Sequence, residues 1–361
     1  MTVKLNEEEE IGNKLQLEKN PALIDSFGRI ARKLRISLTD RCNMRCMYCM
    51  PPGDVQWFQN EDILDYDEII RLVSIMANFG IEKIRLTGGE PLLRPKLEDL
   101  IIPLTRITGI KSISMTTNGL LLGDKVKQLK DAGLDSVNIS LDSFKANRFK
   151  AITGIDGVNK VIASIYAADK AGLKIKINTV VIRGWNDDEI VAFADFARNS
   201  GYTIRFIEFM PLDGSGIWQP NLVFSKKEIV EIIIKNIMEI VPLHNYHNNS
   251  NDSDNIPDNT DPAMLYSFVD GKGTIGFIPS ITEPFCGNCD RIRLTSDGRL
   301  LTCLFENPGY DLRTVLRSGK SDYYIKKQLI ENIKKKPEGI IKSIKTKTLK
   351  PSLNAMHTIG G

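Results

Sequence analysis

The stretch from Leu34 to Pro51 reads LRISLTDRCNMRCMYCMP and carries two features that decide the fold. Its apolar and β-branched start predicts a β-strand over residues 33–38. Three cysteines follow this strand directly, Cys42, Cys46 and Cys49, with the spacing C-x3-C-x2-C. In parallel α/β folds, the loops after the carboxyl ends of the strands hold the chemistry. The sequence therefore predicts a functional site built on this cysteine loop.

The chain continues with a regular alternation of strand and helix patterns. Further strands are predicted at residues 83–86, 112–115, 136–141, 174–181 and 203–209, and helices at residues 66–79, 124–132, 158–171, 187–199 and 229–239. Such an alternation indicates an α/β protein whose parallel sheet has right-handed crossovers. The sheet is either open or curled into a partial barrel.

Composition and charge exclude several broad classes. The chain has 361 residues, of which 42% are hydrophobic and 26% are charged, as in globular proteins. Its 48 Lys and Arg residues nearly balance its 45 Asp and Glu residues, so we predict no general binding of nucleic acid. No apolar run approaches the roughly 18 residues that a membrane helix needs, so we predict no membrane span.

The first twenty residues carry four consecutive glutamates, Glu7 to Glu10, and no apolar stretch. They resemble neither a secretory signal nor an arginine-rich transit peptide, so we predict a cytoplasmic location. A mitochondrial matrix location is the alternative if Met1 is not the native start.

Patterning divides the chain into four parts. These are an acidic amino-terminal extension (1–26), the strand-helix unit (27–240), a flexible Asn- and Asp-rich insertion (241–263) and a carboxyl-terminal region (264–361). His244 and His247 lie inside the insertion, so we interpret their spacing as accidental. The third histidine, His357, lies near the end of the chain, and histidine-based chemistry in the main body is excluded.

The six cysteines form two triplets. The second triplet, Cys286, Cys289 and Cys303, has the spacing C-x2-C-x13-C. It is interwoven with patterns at residues 266–279, 291–294 and 300–304, which predict a hairpin and two strands. Disulfides are disfavoured, because a chain of this length with a full core needs no such cross-links.

The number of cysteines in each triplet limits the metal that it can hold. A closed zinc site takes four protein ligands, and each triplet lacks a nearby fourth. A cubane iron-sulfur cluster with three thiolate ligands keeps one iron open to a small molecule. Zinc completed by a carboxylate or by water is the alternative.

Both triplets carry a family resemblance. The segment 34–51, with Tyr48 before the third cysteine, closely resembles the cluster loop of radical S-adenosylmethionine enzymes. The segment CGNCDRIR at 286–293, followed by Cys303, resembles one branch, the GTP 3′,8-cyclases that begin molybdenum cofactor biosynthesis. The resemblance covers residues 27–361. It implies a partial (β/α)6 barrel of the TIM type, with the carboxyl-terminal region capping the barrel mouth.

The resemblance also implies the chemistry. The cofactors are S-adenosylmethionine and two [4Fe-4S] clusters, whose ligands are Cys42, Cys46, Cys49, Cys286, Cys289 and Cys303. In this family an electron from the first cluster releases a 5′-deoxyadenosyl radical, which takes the C3′ hydrogen of GTP. The sugar radical attacks C8 to give (8S)-3′,8-cyclo-7,8-dihydroguanosine 5′-triphosphate, so the enzyme is a lyase. The open iron of the second cluster meets the guanine.

The same resemblance implies partners. A low-potential electron donor reduces the clusters, and a cyclic pyranopterin monophosphate synthase consumes the product. The family commonly forms homodimers.

The segment Thr87-Gly88-Gly89-Glu90-Pro91 follows a predicted strand. Paired glycines let the backbone approach a ligand closely, and Glu90 offers a carboxylate to an ammonium group. An ordinary turn is the alternative interpretation. The resemblance implies that the S-adenosylmethionine contacts are Tyr48, Gly88, Gly89, Glu90, Ser140 and the backbone of Met210.

Several cations lie in strands that should be buried. Arg291 and Arg293 project from one face of a strand, so their guanidinium groups can converge on phosphate oxygens. Unpaired charges in a buried sheet are costly, which suggests that Arg35, Arg85, Lys176 and Arg205 face an anion. The resemblance implies that the GTP contacts are Arg35, Arg85, Thr116, Lys176, Arg291 and Arg293.

Two segments near the carboxyl end, Gly360-Gly361 and Lys334 to Lys336, are expected to lie in different environments. Gly360 and Gly361 can thread a backbone into a crowded cavity, and the resemblance implies that they act in the active site with Arg291 and Arg293. The lysines that follow the last predicted strands, Lys334 to Lys336, are expected to form a solvated helix end.

Two other functions compete with the cyclase interpretation. One is a different radical enzyme with an auxiliary cluster, such as a peptide modifier. The other is a non-enzymatic interaction module whose loops are held by zinc.

Overall fold

The fold was analysed in a computed structural model, which describes residues 22–50, 53–212, 214, 216–243, 261–306, 308–346 and 355–360. Gly361, His244 and His247 lie outside the described residues, as do most of the predicted acidic extension and most of the Asn- and Asp-rich insertion. The four predicted boundaries therefore stay predictions.

Six parallel strands form the amino-terminal part of the sheet, as the sequence predicts. They are β1 (Lys33–Ser37), β2 (Lys83–Thr87), β3 (Ser112–Thr117), β4 (Ser136–Ser140), β5 (Lys174–Val181) and β6 (Thr203–Glu208). They lie side by side in this order, each parallel to the next. The predicted α/β fold class is confirmed.

Helices connect these strands. They are α1 (Tyr66–Ala77), α2 (Glu98–Thr105), α3 (Leu122–Asp131), α4 (Ala146–Thr153), α5 (Val158–Lys170), α6 (Ile190–Ser200) and α7 (Lys226–Asn236). The sequence patterns had predicted neither α2 nor α4. Each has eight residues, and α2 contains Pro103, so neither offers a long period for recognition.

The carboxyl-terminal region extends the sheet at both edges. Strand β9 (Thr274–Ile278) pairs in parallel with β6, and β10 (Arg291–Leu294) pairs in parallel with β1. Antiparallel strands follow outward, namely β8 (Met264–Phe268) and β7 (Ile240–Pro242) on one side and β11 (Arg299–Leu301) and β12 (Tyr310–Asp311) on the other. The strands that the structure describes thus form one sheet of twelve, in which the carboxyl-terminal region shares the core of the barrel.

The last helices also pack onto the amino-terminal unit. They are α8 (Leu312–Arg317), α9 (Asp322–Lys334), α10 (Ile341–Lys345) and α11 (Met356–Ile359). Arg317 pairs with Glu68 of α1 at 2.7 Å, and Arg71 of α1 pairs with Asp322 at the same distance. No described helix is long and apolar enough to cross a bilayer.

The two faces of the parallel strands differ in polarity. On β1, Leu34 and Ile36 are fully buried in the hydrophobic core, whereas Arg35 faces a central cavity. On β2, Leu86 is likewise buried in the hydrophobic core, and Arg85 faces the cavity. Because successive side chains in a strand point to opposite faces, one polar residue in two is enough to give the sheet a polar interior surface.

The shared sheet predicts that barrel and carboxyl-terminal region unfold together. Leu294 lies on β10 and is fully buried in the common core. Leu294→Ala should lower the free energy of unfolding by about 2–5 kcal/mol, with coincident transitions in circular dichroism and tryptophan fluorescence during urea denaturation. Tyr166→Ala, at an exposed position of α5, should change it by no more than about 0.5 kcal/mol. A separate early transition for the carboxyl-terminal region would contradict a common core.

Candidate active site

A cavity of about 290 Å³ lies inside the curved sheet, and both cysteine triplets line it. Cys42, Cys46 and Cys49 reach it from the loop after β1. Cys286 and Cys289 come from the segment before β10, and Cys303 follows β11. All six are free thiols, so none is committed to a disulfide. The pairing of β10 with β1 is what brings the two triplets to one cavity.

The first cysteine loop is held by the Gly88-Gly89 turn after β2. The amide of Gly89 donates to the carbonyl of Thr39 at 2.6 Å, and the amide of Glu90 donates to the carbonyl of Arg41 at 2.8 Å. A Cβ on Gly88 would lie 2.6 Å from the Thr39 oxygen, and one on Gly89 would lie 2.2 Å from the Arg41 oxygen. The paired glycines therefore permit a close approach of two loops, and both also line the cavity.

Glu90 is fully buried and braces this arrangement from behind. Its carboxylate accepts hydrogen bonds from the Thr117 hydroxyl at 2.7 Å, the Asn118 amide at 2.8 Å and the Leu92 amide at 3.1 Å. Burial raises the pKa of Glu90 to about 7 despite these donors. Glu90 is not among the cavity-lining residues, so its predicted contact with an amine stays a prediction.

Burial and neighbouring negative groups oppose ionisation of the first triplet more strongly than the nearby Arg45 favours it. Burial raises the pKa of Cys42 to about 11 and raises those of Cys46 and Cys49 as well. The neighbouring thiols and Asp142 raise the pKa values of Cys46 and Cys49 further. A bound metal deprotonates a coordinating thiol. Three buried thiols in this state therefore fit the iron of a cluster.

The second triplet has cations beside it. Although burial alone raises the pKa of Cys289, Arg291 and Lys336 lower it to about 7. The Arg291 guanidinium lies 3.4 Å from the Cys289 sulfur and stacks on the ring of Phe285. The Glu306 carboxylate accepts the amide of Cys303 at 3.2 Å and so fixes the third cysteine. These thiols also fit a metal cluster. Here nearby cations favour the thiolate of Cys289, whereas the surroundings of Cys46 and Cys49 oppose it.

The described donor side chains form no compact site for a single metal ion. Within the described ranges, no three His, Cys, Asp or Glu side chains are grouped so that they could hold one metal ion. Zinc holds its thiolates at about 2.3 Å and draws them tightly together. An iron-sulfur cubane binds each thiolate to a different iron, so the three cysteines of one triplet can share a single cluster.

Five of the six predicted S-adenosylmethionine residues line the same cavity as the first triplet. Tyr48, Gly88, Gly89, Ser140 and Met210 all line the cavity. Tyr48 donates a 2.6 Å hydrogen bond to Asp142, a residue that the sequence analysis did not select. Asp142 also accepts the amide of Val180 at 2.9 Å, and burial raises its pKa to about 6.

Arginines line the same cavity. Strand register places Arg35 directly beside Arg293 of β10 and Arg85 of β2. Adjacent strands are about 4.8 Å apart, so the three side chains form a row on the inner face of the sheet. Arg291 precedes Arg293 on the same face, and Arg205 reaches the cavity from β6. We call Arg35, Arg85, Arg205, Arg291 and Arg293 the arginine cluster.

Among the described residues, no carboxylate forms an ion pair with the arginine cluster, and Asp261, the nearby carboxylate that acts on Arg85 and Arg205, also pairs with Lys176 at 3.9 Å. Arg85 donates to the Ser114 hydroxyl at 3.2 Å, and Arg205 donates to the side-chain oxygens of Asn178 and Asn138 at 2.9 and 2.7 Å. Burial and four neighbouring arginines lower the pKa of Arg35 well below its usual value. Burial and Arg85 likewise lower that of Arg205 to about 9. A cavity with this charge calls for an anion.

The end of the chain reaches this cluster. Arg293 donates to the backbone carbonyls of Gly360 and Ile359. Gly360 has a φ of +77°, and a Cβ there would lie 2.7 Å from Thr87, so a larger residue would be strained. His357, which the sequence analysis had set aside, is buried with its Nδ1 3.5 Å from the Cys49 carbonyl and its ring edge-on to Trp57.

Two predicted substrate residues differ in their placement. Thr116 lines the cavity. Lys176 is not among the lining residues, and its ammonium group lies 3.9 Å from Asp261, beside the insertion. Arg205, which the sequence analysis noted without assigning it a GTP contact, lines the cavity instead. The contact of Lys176 with GTP stays a prediction.

Comparison with known proteins agrees with this geometry. The Radical SAM superfamily model matches residues 36–197, and the Molybdenum Cofactor Synthesis C model matches residues 202–341. A GTP 3′,8-cyclase of Thermodesulfovibrio yellowstonii is 44% identical over 93% of this chain and 99% of its own. The chain belongs to the GTP 3′,8-cyclase family. A mitochondrial GTP 3′,8-cyclase of Arabidopsis thaliana is 38% identical over 89% of this chain and 80% of its own.

Solved structures support the fold of this GTP 3′,8-cyclase family member. Streptococcus suis SuiB bound to the precursor peptide SuiA aligns with a TM-score of 0.56 at 16% identity, over 96% of this chain and 79% of SuiB. At that identity the likeness concerns the fold alone. The predicted partial barrel is confirmed, and as a radical SAM enzyme the chain uses S-adenosylmethionine and an iron-sulfur cluster.

The tight contact at Gly89 predicts a substitution effect on the first cluster. In Gly89→Ala the new methyl group meets backbone atoms of Asp40 and Arg41, which can yield only if the cysteine loop moves. We expect a stability loss of about 1–3 kcal/mol and a lower iron content after anaerobic reconstitution.

Gly287→Ala is the matched control for this experiment. Gly287 lies between two cysteines of the second triplet, and a Cβ there meets nothing within 4 Å. Its iron content and denaturation midpoint should equal those of the unsubstituted chain. Equal iron content in both variants would show that the glycine turn does not hold the cysteine loop.

Proposed function

We propose that the chain is a lyase that converts GTP to (8S)-3′,8-cyclo-7,8-dihydroguanosine 5′-triphosphate, the first step of molybdenum cofactor biosynthesis. The observation that carries this proposal is the arginine cluster, which lines one cavity together with both cysteine triplets and forms no ion pair with a carboxylate among the described residues. A nucleoside triphosphate supplies the missing negative charge. Family membership supplies the identity of the nucleotide.

We infer that the chain holds two [4Fe-4S] clusters. The first is ligated by Cys42, Cys46 and Cys49 and carries S-adenosylmethionine on its open iron. The second is ligated by Cys286, Cys289 and Cys303 and binds the guanine of the substrate. When bound, the first cluster and S-adenosylmethionine supply the 5′-deoxyadenosyl radical that takes the C3′ hydrogen of GTP.

The chain itself positions the reactants. On the cofactor side, Ser140, Met210 and the Gly88-Gly89 backbone line the surface where S-adenosylmethionine binds. The Tyr48 hydroxyl is fixed by Asp142, which orders the aromatic side chain between two cysteine ligands.

On the substrate side, the arginine cluster holds the triphosphate. Arg35, Arg85 and Arg293 form a row of forked donors that can bind several phosphate oxygens at once. Arg293 also holds the tail through Gly360, so substrate binding and tail position share one side chain. Gly361 lies outside the described residues, and its catalytic role stays part of the proposal.

The surroundings of the reaction follow from the same proposal. A low-potential electron donor reduces the clusters, and a cyclic pyranopterin monophosphate synthase consumes the product. We expect a homodimer in the cytoplasm, with the mitochondrial matrix as the alternative that the name of the Arabidopsis relative suggests.

Anaerobic reconstitution followed by turnover tests the function. We expect about eight irons and eight sulfides per chain, as two cubanes require. Incubation with GTP, S-adenosylmethionine and dithionite should yield 5′-deoxyadenosine and an isomer of GTP, both detected by mass spectrometry. Zinc at two ions per chain, or deoxyadenosine without a GTP isomer, would refute the cyclase function.

Arg35→Met separates nucleotide binding from folding. Because Arg35 is only partly exposed and lies beside four other arginines, its loss should raise the melting temperature of the nucleotide-free protein. The same substitution should weaken GTP binding by about ten- to a hundredfold, since a charged hydrogen bond contributes roughly 1.5–3 kcal/mol. Guanosine, which has no phosphate, should bind the variant and the unsubstituted chain equally.

Arg32→Met is the control, because Arg32 precedes β1 with its side chain half exposed and 3.9 Å from Glu82. Its GTP affinity should not change. An Arg35→Met variant that binds GTP as tightly as the control would remove the phosphate assignment.

A further inference from the structure

Lys336 does not belong to a solvated helix end, contrary to the expectation from the sequence. Lys334 and Lys335 are exposed as expected, but Lys336 is only 4% exposed. Helix α9 ends at Lys334, and the following residues turn back toward β10. The third lysine of the run therefore enters the protein where its two neighbours stay in water.

The buried ammonium group lies against the second cysteine triplet. It donates to the backbone carbonyl of Cys289 at 2.7 Å and to that of Arg291 at 3.0 Å. Within the described ranges it forms no ion pair with a carboxylate. Two carbonyl dipoles only partly offset the cost of burying a full charge, so this site favours a negative group nearby. Cys289 of the second triplet is the nearest such group, and the carboxylate of Asp25, which is paired with Arg29, contributes less.

Arg29 holds the other side of the same loop. Its guanidinium donates to the carbonyl of Cys286 at 2.8 Å and to the carbonyls of Pro337 and Glu338 at 2.6 and 2.9 Å. Asp25 fixes Arg29 through a buried 2.6 Å ion pair. One side chain thus ties the first cysteine of the triplet to the segment that follows Lys336.

Gly339 packs directly against Cys286. Its φ is +132°, and a Cβ there would lie 2.4 Å from the Cβ and 2.5 Å from the sulfur of Cys286. The next residue, Ile340, lines the cavity. Residues 336–340 therefore pack against the cysteine backbone with no room for a side chain at this point.

We propose that Lys336 and Arg29 are positioning residues for the second cluster. They hold the carbonyls of Cys286, Cys289 and Arg291 so that the triplet is preorganised for iron. Lys336 also provides a buried positive charge beside the loaded thiolates, which favours the reduced cluster. The inference rests on the proposed function in one respect, because it takes the second triplet to hold a cluster.

Lys336→Met tests the positioning role, since it keeps the length of the side chain and removes its donors and charge. We expect the unsubstituted chain to carry about eight irons after anaerobic reconstitution and the variant to carry about four. The four that stay should belong to the first cluster and show its paramagnetic signal with a shift on addition of S-adenosylmethionine. Lys336→Arg should restore the second cluster in part.

Lys335→Met is the matched control, one residue earlier and exposed. It should retain about eight irons, like the unsubstituted chain. Eight irons in Lys336→Met with the unchanged spectrum of the second cluster would overturn the inference and leave the proposed function intact. Four irons in the unsubstituted chain would instead overturn the two-cluster proposal, and the inference with it.

Lys336→Gln decides the question if the methionine variant fails to fold. An amide keeps a hydrogen-bond donor for a carbonyl but carries no charge. We expect it to retain the second cluster with a lower reduction potential, because a removed positive charge disfavours the added electron. A dithionite titration followed by electron paramagnetic resonance measures this shift. An unchanged potential would show that the charge of Lys336 does not act on the cluster.

Discussion

Five guanidinium groups converge on one cavity inside the sheet, and the rest of the structure is arranged around their mutual repulsion. Burial and like charges lower the pKa values of Arg35, Arg205 and Arg293, which means that the fold opposes their charged state. The outer faces of the same strands compensate, because their apolar side chains are fully buried in the core. The fold therefore tolerates a cationic interior that a bound triphosphate would neutralise.

For the first cysteine triplet, the surroundings oppose a negative charge instead of a positive one. Buried thiols of the first triplet are hard to ionise, and metal ions would supply the positive charge that they lack. The arginine cluster therefore favours a bound anion, whereas the first cysteine triplet favours a bound cation. Binding of an anion at the arginines and of metal at the cysteines would relieve both unfavourable charge arrangements, and this relief would add to the binding free energy. Lys336 and Arg291 extend this logic to the second triplet, where the protein itself provides part of the positive charge.

Much of this site could be predicted from the sequence, because the patterns that indicate it each lie within a short segment. The spacing of the cysteines, the Gly88-Gly89 turn and the alternation of Arg291 with Arg293 are each contained in a few residues. Other parts had no such signal. Asp142 meets Tyr48 across 94 positions of the chain, and Arg29 meets Cys286 across 257, so no short pattern could connect them. The prediction for Lys336 was wrong because burial depends on where the chain turns after α9.

The sequence by itself determined the α/β class, the six strands before residue 210 and the two cysteine triplets, since hydrophobic period and cysteine spacing are properties of neighbouring residues. Only the tertiary structure decided that β9 and β10 extend the sheet at opposite edges and that Arg293, Arg35 and Arg85 stand in one row. Strand order depends on hydrogen bonds between residues far apart in the chain. For the same reason, it was the pairing of β10 with β1 that placed both cysteine triplets on a single cavity.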